Sequence, residues 1–107
     1  MGTFTGTLGN DTLAGTADAD LIKGLDGVDY INGGAGDDRI QGGEGYDVLD
    51  GELGNDVLLG GGGGDDLSDG LGGNDQIFGE LGADFLRIDR GYSDSTPTTV
   101  LMDGGGD

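Results

Sequence analysis

One aliphatic residue recurs at every ninth position through most of this chain. Leu13, Ile22, Ile31, Ile40, Leu49, Leu58 and Leu67 keep the spacing; Ile77 and Leu86 resume it after one extra residue, Asp69, shifts the frame. The flanking positions vary freely, as in Arg39-Ile40-Gln41 and Val48-Leu49-Asp50. Side chains alternate across a strand, so a lone aliphatic between two variable positions marks a short strand with one inward residue. Each nine-residue unit therefore predicts a strand at its places seven to nine and a turn across its first six.

The turn half is as regular. In GGAGDDRIQ (33–41) and GGEGYDVLD (42–50), Gly fills the first, second and fourth places and Asp the sixth. Units begin at Gly6, Gly15, Gly24, Gly33, Gly42, Gly51, Gly60, Gly70 and Gly79. The sixth place holds Asp11, Asp20, Asp29, Asp38, Asp47, Asp56, Asp65, Asp75 and Asp84, Asp in every copy. The fourth place is Gly except at Asp18, and Thr16 also stands where GGAGDDRIQ has glycine. Three places held in phase from residue 6 to residue 87 exclude low-complexity drift. Glycine and aspartate both suit turn conformations closed to most side chains.

Nine residues cannot close a sheet, but two units can: strand, turn, returning strand, turn. Units two apart then stack at ~4.8 Å, the inter-strand spacing, and their Leu and Ile side chains meet in a thin core. The expectation is an all-β solenoid in which each coil touches only its neighbours. One turn column contains the units at Gly6, Gly24, Gly42, Gly60 and Gly79; the other contains those at Gly15, Gly33, Gly51 and Gly70. Residues 1–5 look like a partial copy with Phe4 in the aliphatic place. Residues 88–107 lose the pattern and read as a cap, a linker or the start of a continuation.

Composition sharpens this picture. The chain has 107 residues, 28 Gly, one Pro, no Cys, no His and a formal net charge of −18. Such a chain resists folding by itself, because little apolar burial opposes the ordering entropy and the charges repel. Four basic residues, Lys23, Arg39, Arg87 and Arg90, are too few for nucleic acid or an anionic membrane surface. No apolar run approaches the ~20 residues of a membrane span, and no cleavable signal peptide is visible. Without Cys there is no disulfide or thiolate site. Without His no nucleophile–His pair exists, and the evenly spaced carboxylates form no unique pair for glycoside hydrolysis, so an enzyme is not expected. The glycines lack a three-residue period, no EF-hand loop occurs, and the run Gly60 to Gly64 is followed by Asp65 and Asp66 rather than by Lys and Ser or Thr.

What remains is an excess of hard oxygen donors, suited to hard cations. Stacked turns place Asp over Asp and carbonyl over carbonyl, which is repulsive without a cation. An ion midway between turns ~4.8 Å apart lies ~2.4 Å vertically from each, near the ~2.3–2.6 Å of Ca–O bonds and beyond the ~2.0–2.1 Å of Mg²⁺. The candidate ligands are the nine sixth-place aspartates together with Gly24, Gly27, Gly33, Gly34, Gly36, Gly42, Gly43, Gly45, Gly51, Gly54, Gly60, Gly61, Gly63, Gly70, Gly73, Gly79 and Gly82. Stacking pairs Asp11 with Asp29, Asp29 with Asp47, Asp47 with Asp65 and Asp65 with Asp84; in the other column it pairs Asp20 with Asp38, Asp38 with Asp56 and Asp56 with Asp75. That makes about seven gaps, and about seven Ca²⁺ ions would bring the charge from −18 to about −4.

The repeat resembles the nonapeptide of the repeats-in-toxin (RTX), or hemolysin-type calcium-binding, family. GGAGDDRIQ and GGEGYDVLD match its pattern, GELGNDVLL matches with one change, and the resemblance covers residues 6–87. It implies a right-handed parallel β-roll, calcium between successive turns, and a place in secreted bacterial proteins that often leave by type I secretion and fold outside the cell. Calcium-dependent folding of a module within a longer parent chain is the function expected. Asp26, Asp37, Asp50, Asp66 and Asp69 lie off the sixth place and are expected as surface charges. Tyr30, Val48 and Phe85 on one sheet, and Leu21, Val57, Leu59 and Phe78 on the other, project outward and offer an alternative role in adhesion or partner binding. Ice binding would call for regular ranks of Thr; the row Thr12, Tyr30, Val48, Asp66, Phe85 is mixed.

Overall fold

The computed structural model describes residues 2–69, 76–80, 82 and 85–88. Within them the nine-residue period becomes two parallel five-stranded sheets. One contains β1 (Thr3–Thr5), β3 (Leu21–Lys23), β5 (Arg39–Glu44), β7 (Val57–Gly62) and β9 (Gln76–Phe78), in that spatial order. The other contains β2 (Thr12–Ala14), β4 (Tyr30–Asn32), β6 (Val48–Asp50), β8 (Asp66–Asp69) and β10 (Phe85–Ile88). Successive strands alternate between the sheets, so each coil is strand, turn, strand, turn. The chain is a β-solenoid of the β-roll type.

Register follows the repeat. Phe4 pairs with Ile22, Ile22 with Ile40 and Ile40 with Leu58 in the first sheet; Leu13, Ile31, Leu49 and Leu67 align in the second. The extra residue, Asp69, ends β8 opposite Ile88, and pairing stays in phase beyond it, Leu58 with Ile77 and Leu67 with Leu86. The core is one aliphatic thick. Ile22, Ile31, Ile40, Leu49, Leu58, Leu67 and Ile77 are fully buried, with Phe4 and Leu13 partly buried against them. Each such side chain contributes about 1.5–3 kcal/mol, too little to offset the ordering of its nine-residue unit. Tyr30 and Phe85 lie outward and exposed, while Leu21, Val48, Val57, Leu59 and Phe78 are half-buried.

Two strands run three residues longer than the repeat predicts. β5 and β7 continue through the following glycines, where Gly43 pairs with Gly61 and Glu44 with Gly62. With no side chain at Gly42, Gly43, Gly60 or Gly61, successive backbones approach closely enough for the ladder to enter the turn.

In the described turns after the first coil, the second- and fourth-place glycines are needed for conformation and for space. Gly43 has φ 98°, and a Cβ there would collide with the carbonyl of Leu25 one coil earlier. Gly9 lacks a positive φ, and a Cβ on it meets only Thr7 Oγ1 at 3.7 Å. Gly43→Ala is therefore expected to destabilise the folded chain by at least ~2 kcal/mol and Gly9→Ala by less than ~0.5 kcal/mol, as measured by urea denaturation. Equal midpoints for the two variants would contradict this packing.

Candidate metal centre

The backbone of each turn divides its polar groups between the sheets and the space between coils. The sixth-place carbonyl joins the ladder: Asp29 O accepts from Val48 N at 2.8 Å, and Asp47 O from Asp66 N at 2.8 Å. The first-place N–H joins it too, Gly24 N donating to Gln41 O and Gly33 N to Asp50 O, each at 2.8 Å. Carbonyls of the first, second and fourth places face the neighbouring coil, and that of Leu25 also accepts from Glu44 N at 3.1 Å. Those of Gly43, Gly45 and Gly63 lie directly beneath Gly61, Gly63 and Gly82, and those of Gly27 and Gly36 beneath Gly45 and Gly54.

The sixth-place carboxylates are buried among these carbonyls. Asp20, Asp29, Asp38, Asp47, Asp56 and Asp65 expose no more than 3% of their surface. Each anchors to the coil before it: Oδ1 of Asp29 accepts from Asp11 N at 2.9 Å, that of Asp38 from Asp20 N at 2.8 Å, that of Asp47 from Asp29 N at 3.1 Å, that of Asp56 from Asp38 N at 2.8 Å and that of Asp65 from Asp47 N at 3.0 Å. Stacked aspartates are thus tied by one hydrogen bond per coil, a link the repeat pattern alone does not reveal.

The second carboxylate oxygen faces the other way. Oδ2 of Asp29, Asp38 and Asp47 is buried and accepts no hydrogen bond. It converges with a carbonyl of the next coil over a first-place glycine. A Cβ on Gly24 would sit 2.5 Å from Asp29 Oδ2 and 2.7 Å from Gly42 O; on Gly42, 2.5 Å from Asp47 Oδ2 and 2.8 Å from Gly60 O. On Gly33 it would sit 2.6 Å from Asp38 Oδ2 and 2.9 Å from Gly51 O, and on Gly60, 2.6 Å from Asp65 Oδ2 and 2.8 Å from Gly79 O. Glycine keeps each cradle open. A buried anionic oxygen without a donor, aimed at a carbonyl oxygen, is repulsive unless something positive lies between.

The electrostatics agree. Burial pushes the Asp47 carboxyl up to about 7 and that of Asp38 up to about 6, and it raises Asp29 and Asp50 as well. Asp20 moves the other way, held below the usual carboxylate range mainly by the Thr16 N–H. Among the described residues no three acidic side chains converge. Each cradle opposes a carboxylate oxygen and a backbone carbonyl, both hard oxygens, and that chemistry fits Ca²⁺, which takes such ligands flexibly.

Asp75, Asp84, Gly70 and Gly73 lie outside the described residues. Of the other expected site residues, Gly42, Gly43, Gly60 and Gly61 lie in the extended ends of β5 and β7 and the rest fall in the turns, though Asp11 is only half-buried. Leu25, Glu52 and Glu80 hold second places with φ of 76°, 65° and 70°. The backbone nonetheless keeps the glycine-like conformation, and the Leu25 carbonyl still faces Gly43. Off the sixth place, Asp37 is exposed but accepts from Asn55 N at 2.8 Å, and Asp50 accepts from Glu52 N at 3.0 Å. Thr7 and Thr16, which bind Asp11 and Asp20, were not among the expected site residues.

In comparison with protein-family models, residues 5–40, 33–67 and 60–92 match the RTX calcium-binding nonapeptide repeat (4 copies). No curated protein and no solved structure matches the chain.

Proposed function

The chain belongs to the RTX calcium-binding nonapeptide repeat family, and on that premise we propose that it is a β-roll module that folds by binding calcium outside the cell. The observation that carries this is the row of buried Oδ2 atoms on Asp29, Asp38 and Asp47, each without a donor and each opposed by a carbonyl of the next coil. Calcium supplies the positive charge that these oxygens lack. Asp29, Asp38 and Asp47 hold it through Oδ2, and first-, second- and fourth-place residues of these turns through their carbonyls. Ordering one coil builds half of the next site, so binding and folding are cooperative. A parent chain carrying the module stays extended in a low-calcium cytosol, passes an export channel, and folds at millimolar calcium outside. The matched family is a calcium-binding repeat rather than a catalytic domain, and the module's role is structural.

Native mass spectrometry of the chain at saturating calcium should show at least four bound ions. Magnesium at the same concentration should give no comparable series. Fewer than about four calcium ions, or equal occupancy by magnesium, would refute the reading.

A further inference from the structure

The first coil is built differently from those after it, in the same way on both sides. Its two turns carry Thr7 and Thr16 at the second place, where later turns carry Leu25, Gly34, Gly43, Glu52, Gly61 and Glu80. All six of those later residues have positive φ; the two threonines do not. Thr7 N donates to Asp11 Oδ2 at 2.6 Å, and Thr7 Oγ1 reaches Oδ1 at 3.0 Å and Oδ2 at 3.2 Å. Thr16 N donates to Asp20 Oδ2 at 2.6 Å, and Thr16 Oγ1 reaches Oδ1 at 3.1 Å and Oδ2 at 3.0 Å. Each hydroxyl also accepts an N–H two residues on, from Gly9 and from Asp18, at 3.1 Å. That bond occupies a hydroxyl lone pair and turns its proton toward the carboxylate.

Donors therefore stand where the later turns offer only acceptors. Two protons aimed at one carboxylate oxygen supply the positive charge that a cation would supply, and they oppose a cation's approach. Hydrogen bonds to an ionised acceptor are stronger than neutral ones, and together these hold the carboxylate without metal.

We propose that Thr7–Asp11 and Thr16–Asp20 are clasps that close this coil without calcium and leave the metal to the coils that follow. The inference rests on the calcium reading above and narrows it. The gaps that begin at Asp11 and Asp20 take no ion, and about five of the seven gaps remain.

The test counts bound calcium by native mass spectrometry. Wild type should hold about five ions. Thr7→Gly/Thr16→Gly, which installs the glycine of the later turns, should hold up to two more. Asp11→Ala and Asp20→Ala should each keep the wild-type count, a result that decides the matter even if the threonine variant does not fold. The clasp is overturned if either aspartate variant loses an ion, or if a folded threonine variant and wild type bind the same number. A wild-type chain that binds no calcium would instead overturn the calcium reading itself, so the two failures are distinguishable.

Discussion

Asp47→Ala is expected to lower calcium affinity at least about tenfold, about 1.4 kcal/mol, and to weaken both gaps that its turn borders. Asp47 is fully buried; its Oδ2 converges with the Gly60 carbonyl ahead, and its Oδ1 accepts the N–H of Asp29 behind. Alanine removes the anionic donor and also strands the Asp29 N–H, which alone costs about 1–3 kcal/mol. Asp47→Asn separates the two effects. It keeps volume and an acceptor for Asp29 N–H but loses the charge, so its calcium affinity should fall nearly as far while the coil geometry persists. Calcium titration calorimetry reads both variants. Wild-type affinity in Asp47→Asn would show the carboxylate to be a turn acceptor only.

The sequence carried the solenoid with unusual clarity, because one inward residue per strand makes phase visible. The positions of Ile22, Ile40 and Leu58 sufficed to place three strands of one sheet side by side, and the single insertion at Asp69 was legible as a frame shift. The buried aspartates were legible for the same reason. Other features were not, because they depend on peptide orientation rather than residue type. Leu25 and Glu52 look like lost glycines, but a carbonyl ligand needs only the backbone, and these residues reach positive φ all the same. Thr16 looks like the same kind of loss and is a different one: without positive φ, its N–H turns onto Asp20. The Oδ1 ladder between successive aspartates was hidden too, because a repeat shows which residues stack but not which hydrogen bonds tie them.

Calcium removal should have the largest effect of all, the loss of the fold. Without metal the net charge of −18 is uncompensated, and carboxylates such as Asp38 and Asp47 resist ionisation where they are buried. The core that opposes this is a single file of aliphatic residues, one per nine-residue unit. Ion binding is then inseparable from folding free energy, and the transition should be steep in calcium because neighbouring coils share their sites. The most direct test is far-UV circular dichroism of the chain through a calcium titration at neutral pH, with magnesium as control. The account predicts a disordered spectrum in excess chelator, a cooperative rise to a β spectrum with calcium, and no such rise with magnesium. A full β spectrum in excess chelator would contradict it, even if calcium still bound.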